Sequence, residues 1–208
     1  MCTSLVRFKF STDCSNGPSM PAIPPVAIPN LKSLDWQGMD VDDVNIFGPL
    51  VLPSLTSLEM RDGIEDSVFL LGSHSSFALQ KLTLVFFALS FTRFSVFLRN
   101  MPSLTSFELR MSITITDELL AFLKYDSRNP VLPQLARLVL CCHEQHFSEL
   151  SMVCMVQSRW GPRTPLKYIR ISAKPTTSHA STPTVHRKVF SRIATMVAEG
   201  LYFDYKLS

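Results

Sequence analysis

Glycine is scarce in this chain. Only seven glycines occur among 208 residues, and none is spaced as a phosphate-cradling loop, a dinucleotide-binding turn or a nucleophile elbow. No motif for catalysis built on such backbone turns is present. A surplus of one charge is missing as well: 20 basic residues face 17 acidic ones, a formal charge of +3. That balance supplies no electrostatic reason to expect nucleic acid or an anionic membrane surface as partner.

Long apolar runs are absent too. The most apolar charge-free stretch, between Lys81 and Arg93, is 11 residues long, whereas a bilayer span needs about 20. The interval 14–31 is also free of charge, but it holds five prolines and reads as loop. The cysteines (Cys2, Cys14, Cys141, Cys142 and Cys154) are odd in number and lack the spacing of a disulfide framework. There is no Asn-x-Ser/Thr sequon and no basic amino-terminal segment leading into an apolar run. These absences predict a soluble chain with free thiols, cytoplasmic or nuclear.

The chain does contain enough apolar residues for a substantial core, 46% of the total with a mean hydropathy of +0.18, and it contains a repeated phrase. "LPSLTSLEMR" at 52–61 and "MPSLTSFELR" at 101–110 agree at seven of ten positions. The skeleton Pro-x-Leu-x-x-Leu-x-apolar recurs in "IPNLKSLDW" (28–36), "LPQLARLVL" (132–140) and "TPLKYIRI" (164–171). It returns without the proline in "CTSLVRFKF" (2–10) and "ALQKLTL" (78–84). The anchors Leu5, Leu31, Leu55, Leu79, Leu104, Leu135 and Leu166 are separated by 26, 24, 24, 25, 31 and 31 residues. A period near 20–29 residues is the leucine-rich-repeat interval.

The last two apolar positions of each phrase lie two apart, so both face one side of a short strand. One such strand cannot bury its apolar side alone, and stacking repeats into a parallel ladder solves that problem. The return segments read as helices: 65–73, 91–101, 116–125 with Thr116 as N-cap, and 146–160. A closing helix and strand occupy 185–205, with Val185, Val189, Ile193 and Val197 as the apolar face of the helix. Segments 11–29 and 173–184 read as loops. The expected fold is α/β: one leucine-rich-repeat domain over 1–208, with about eight short parallel strands on its concave side and helices or irregular segments on its convex side.

"LPSLTSLEM", "MPSLTSFEL" and "LPQLARLVL", together with "TDELLAFL" and "QSRW" ahead of "LKYIRIS", resemble the repeat region of F-box-like proteins of mushroom-forming fungi. The resemblance implies a repeat surface that holds a substrate for a cullin-type ubiquitin ligase. It also implies an F-box that docks the ligase. The first rung begins within five residues of Met1, so the adaptor role requires an F-box upstream of Met1. The asparagine that many leucine-rich repeats place after the second leucine is replaced here by Met39, Gly63, Phe87, Ser112, His143 and Lys174.

Other stretches carry less chemistry. "CCHEQH" (141–146) offers soft ligands, yet its spacing matches no zinc signature, so no metal or cofactor is expected. It reads as Cys141 at a strand end followed by a turn. The paired acids Asp42–Asp43 and Glu65–Asp66 sit where helices should begin and suit a helix dipole. Trp36 and Trp160 read as packing residues.

The residues alternating with the core leucines form the candidate site, on the concave face. They are Arg7 and Lys9; Ser33, Asp35 and Gln37; Ser57, Glu59 and Arg61; Lys81 and Thr83; Ser106, Glu108 and Arg110; Arg137 and Val139; Tyr168 and Arg170. Mixed charge with Arg and Tyr anchors predicts non-catalytic binding of a protein partner. The competing expectation is a truncated or decayed repeat fragment whose polar face is only solvated. Reversing Glu59 and Glu108 to lysine should leave folding nearly intact if both are exposed.

Overall fold

The computed structural model describes residues 6–12, 24–38, 47, 49–61, 69, 71, 78–85, 90–110, 115–161, 164–174 and 183–207. Its main element is an eight-stranded sheet in which every pairing is parallel. The strands are β1 (Arg7–Thr12), β3 (Ser33–Gly38), β5 (Ser57–Arg61), β6 (Lys81–Val85), β7 (Ser106–Arg110), β8 (Arg137–Glu144), β9 (Tyr168–Lys174) and β10 (Tyr202–Leu207). They lie side by side in chain order. A second, two-stranded parallel sheet joins β2 (Val26–Ala27) to β4 (Leu50–Val51). Helices α1 (Phe91–Arg99), α2 (Asp117–Phe122), α3 (Glu149–Arg159) and α4 (Pro183–Ala198) occupy return segments.

Each letter of the repeated phrase has a physical task. Proline stands second in a turn closed by a hydrogen bond from the anchor leucine: Leu55 N–H to Leu52 O, Leu104 to Met101 and Leu135 to Leu132, each 3.2 Å. Its ring presets the φ that this turn position needs. The anchor leucines 31, 55, 79, 104, 135 and 166 are all buried, while Leu5 lies outside the described residues. The threonine that follows donates its hydroxyl to the carbonyl of the preceding rung, Thr56 to Lys32 at 3.1 Å and Thr105 to Gln80 at 3.0 Å. Those carbonyls also accept two consecutive backbone N–H groups of the next strand, and Val6, Thr56, Thr105 and Ala136 repeat that pattern. The two copies of the phrase form β5 and β7, with β6 paired between them.

The register sends Leu34, Leu58, Leu82, Phe107, Leu138 and Ile169 into one row, and Trp36, Met60, Leu84, Leu109, Leu140 and Ile171 into another. Both rows belong to a single core that also takes Phe94 and Leu98 of α1, Leu119 and Leu120 of α2, and Met152 and Val156 of α3. At the outer strand the row ends on Phe8, 38% exposed.

Several expectations about the return segments need correction. The presumed loop 11–29 contributes Ser11 and Thr12 to β1 and Val26–Ala27 to β2. The presumed loop 173–184 begins one residue before the end of β9, at Lys174, and its last two residues belong to α4. The face assigned to that helix drifts: Ile193 is buried, but Val197 is 46% exposed and Met196 is buried instead. Steps of four residues overshoot the 3.6-residue turn, so the stripe returns to the core at i+3. The helix expected over 65–73 and the acids at 42–43 and 65–66 lie almost wholly outside the described residues. Thr116 caps α2 as expected, accepting from the Leu119 N–H at 3.4 Å.

Candidate functional site

The side of the sheet away from the core carries three rows that run across the strands. The first is Arg7, Ser33, Ser57, Lys81, Ser106, Arg137, Tyr168 and Tyr202. The middle row is Lys9, Asp35, Glu59, Thr83, Glu108, Val139, Arg170 and Asp204. The third runs from Gln37 through Arg61, Val85, Arg110, Cys141 and Ser172 to Lys206. All seventeen residues singled out from the sequence fall on this face.

The face is more closed than simple alternation suggests. Ser57 is half-buried, and Thr83, Glu108 and Val139 are buried. Parallel strands stand about 4.8 Å apart, so long neighbours cover short ones and pair with one another. Lys9 meets Asp35 at 3.4 Å. Arg61 folds back on Glu59 two residues earlier, and Arg110 repeats that pairing on Glu108 at 2.7 Å. Arg137 donates to the other oxygen of Glu108 at 3.0 Å. Arg170 donates to Asp204 at 2.8 Å, with Lys206 at 3.8 Å from the same oxygen.

Aromatic rings order the carboxyl-terminal end of the first row. The Arg137 guanidinium lies 4.0 Å from the centre of the Tyr168 ring, and Tyr168 stacks on Tyr202 at 4.6 Å with planes 3° apart. Tyr202 is 52% exposed. A salt bridge, a cation–π contact and a ring stack thus run in sequence from Glu108 to Tyr202. Tyr202, Asp204 and Lys206 were missed among the sequence candidates, although one further step of the same alternation along "LYFDY" would have found the first two.

Burial pushes the Glu108 carboxyl up, but the hydrogen bond from Arg137 and the charge of Arg110 outweigh it and hold the group below the usual glutamate range. A folded-state value below the unfolded one stabilises the fold above the ordinary glutamate range, and that contribution is lost as pH falls through the lowered value. Glu108 is 8% exposed against 26% for Glu59, so the two copies are not equivalent and charge reversal at Glu108 is not neutral. Glu108→Ala should cost about 1.5–3 kcal/mol near neutral pH, as lost hydrogen bonds to charged groups do. Glu59→Ala should stay within about 1 kcal/mol. In urea melts at falling pH, the gap between wild type and Glu108→Ala should shrink through the acidic range. A gap that stays constant would show that the carboxylate's charge contributes nothing.

"CCHEQH" is strand and not turn through Glu144, with a register irregularity between Cys141 and Glu144. Cys142 points inward, and burial pushes its thiol up to about 11. His143 and His146 are exposed, and no group of three His, Cys, Asp or Glu residues gathers among the described residues. Trp36 packs edge-on against Phe47 in the core, while the Trp160 indole donates to Glu199 at 2.8 Å. No helix among the described residues is long and apolar enough to cross a membrane. Searches of family models, of curated proteins and of solved structures find no match to this chain.

Proposed function

We propose that the chain is a leucine-rich-repeat solenoid that binds a protein partner, without catalysis, through the concave face formed by its parallel strands. A period of 24 to 31 residues with strictly sequential strand order supports the repeat reading. The observation that carries the binding reading is the Arg137–Tyr168–Tyr202 stack. Arginine and tyrosine are the side chains that dominate protein interfaces when held rigid. Here they are held by one another on a face that the protein's own core does not use. Presenting a substrate to a ubiquitin ligase, the role implied by the resemblance, would use the same surface.

Photo-crosslinking residues placed at Ser57 and Ser106 on this face, and at Val96 and Leu150 on exposed helical positions, test it. Specific crosslinks are expected from the strand positions, lost when Tyr168 and Tyr202 are both changed to alanine. Specific crosslinks from Val96 and Leu150 alone would overturn the reading.

A further inference from the structure

We infer that the partner segment is an extended peptide rich in Asp and Glu, lying across the strands and seated over β6; this rests on the proposed function. The first outward row carries Arg7, Lys81 and Arg137. The middle row adds Lys9 and Arg170, and the third adds Arg61, Arg110 and Lys206. Against these eight cations stand only Asp35, Glu59, Glu108 and Asp204. These three rows together carry four more positive than negative groups.

The acids are not free to repel a partner, since each is bonded or close to at least one cation of the same face. Arg7 and Lys81 are exposed and form no ion pair among the described residues. β6 also forms a low floor. Its short Thr83 and Val85 lie between the Glu59–Arg61 and Glu108–Arg110 columns of β5 and β7, which stand about 10 Å apart. Both carboxylates turn to arginines and leave Thr83 aside. An extended backbone laid over β6 brings its carboxylates within reach of Lys81, Arg61 and Arg110. A nucleic acid strand, charged at every nucleotide, would lay phosphates against the acidic middle row.

Fluorescence anisotropy of the full chain with labelled synthetic peptides decides this. The probes are a Glu/Ser peptide, a Gln/Ser peptide and a Lys/Ser peptide of equal length, beside an oligouridylate. The Glu/Ser peptide should bind tightest and weaken as salt rises. The double change Arg7→Glu and Lys81→Glu should reduce that affinity by about tenfold or more and favour the Lys/Ser peptide instead. Leu150→Gln, on the exposed side of α3, should leave the affinity unchanged. Equal binding of the Glu/Ser and Gln/Ser peptides, tighter binding of the oligouridylate, or no binding of any probe overturns the inference. A Gln/Ser peptide bound and released by Tyr168→Ala with Tyr202→Ala would overturn only the acidic preference and leave the binding face standing.

Discussion

Arg159→Ala should be among the most destabilising single changes in the protein, costing about 3–5 kcal/mol, because it leaves buried carbonyls unsatisfied at about 1–3 kcal/mol each. Arg159 closes α3 and is 2% exposed, yet among the described residues no carboxylate forms an ion pair with it, and Tyr125 is the titratable group that favours its charge. Its guanidinium is spent entirely on backbone: Nε donates to Leu123 O, Nη1 to Leu132 O at 3.2 Å and Nη2 to Val131 O at 2.7 Å. Leu123 is the C-cap of α2, where unpaired carbonyls and the negative end of the helix dipole gather. Leu132 holds φ at 48°, a left-handed conformation that costs a non-glycine residue about 1–3 kcal/mol. The arginine binds the carbonyl of that strained residue and the one before it, just ahead of the turn into β8.

Burial pulls the guanidinium down to about 10, which leaves it charged at neutral pH. Removing it strands three carbonyls in a dry environment and frees the strained turn. Arg159→Lys should recover little, because a point ammonium cannot span three divergent acceptors. The check is urea denaturation of Arg159→Ala, Arg159→Lys and Arg159→Met, with equal slopes confirming an unchanged unfolding reaction. A loss under about 1 kcal/mol for Arg159→Ala would mean that water replaces the guanidinium at no cost.

This residue also marks where the sequence stops being readable. "QSRW" looks like the polar end of an amphipathic helix, and nothing local separates a snorkelling arginine from a buried one. Its partners lie 27 to 36 residues earlier and meet it only in the tertiary structure. The rungs were legible for the opposite reason. Period-two alternation is a local property of a strand, and one residue of slip would expose a whole leucine row. The proline stands out as part of the skeleton, but its place in the turn and the threonine's reach to the preceding rung emerge only in the tertiary structure. On the candidate face, alternation assigns the residues to one side of the sheet but does not give their exposure. Side-chain length and pairing across neighbouring strands decide that, and a single strand's sequence does not contain them.

The central claim is that each copy of the repeated phrase builds one rung of the sheet, with one side in the core and the other on the outward face. It is tested most directly by adjacent truncations in both copies, followed by urea melts. Leu58 is 1% exposed and Phe107 is fully buried, whereas Ser57 and Ser106 are half-buried on the opposite side. Leu58→Ala should cost about 2–5 kcal/mol and Phe107→Ala about 3–5 kcal/mol, from lost transfer energy and the cavity left behind. Ser57→Ala and Ser106→Ala should each stay within roughly 0.5 kcal/mol. Adjacent residues with large and small effects, in the same order in both copies, are the predicted result. Equal losses at Leu58 and Ser57, or an opposite order at Phe107 and Ser106, would contradict the ladder and the face derived from it.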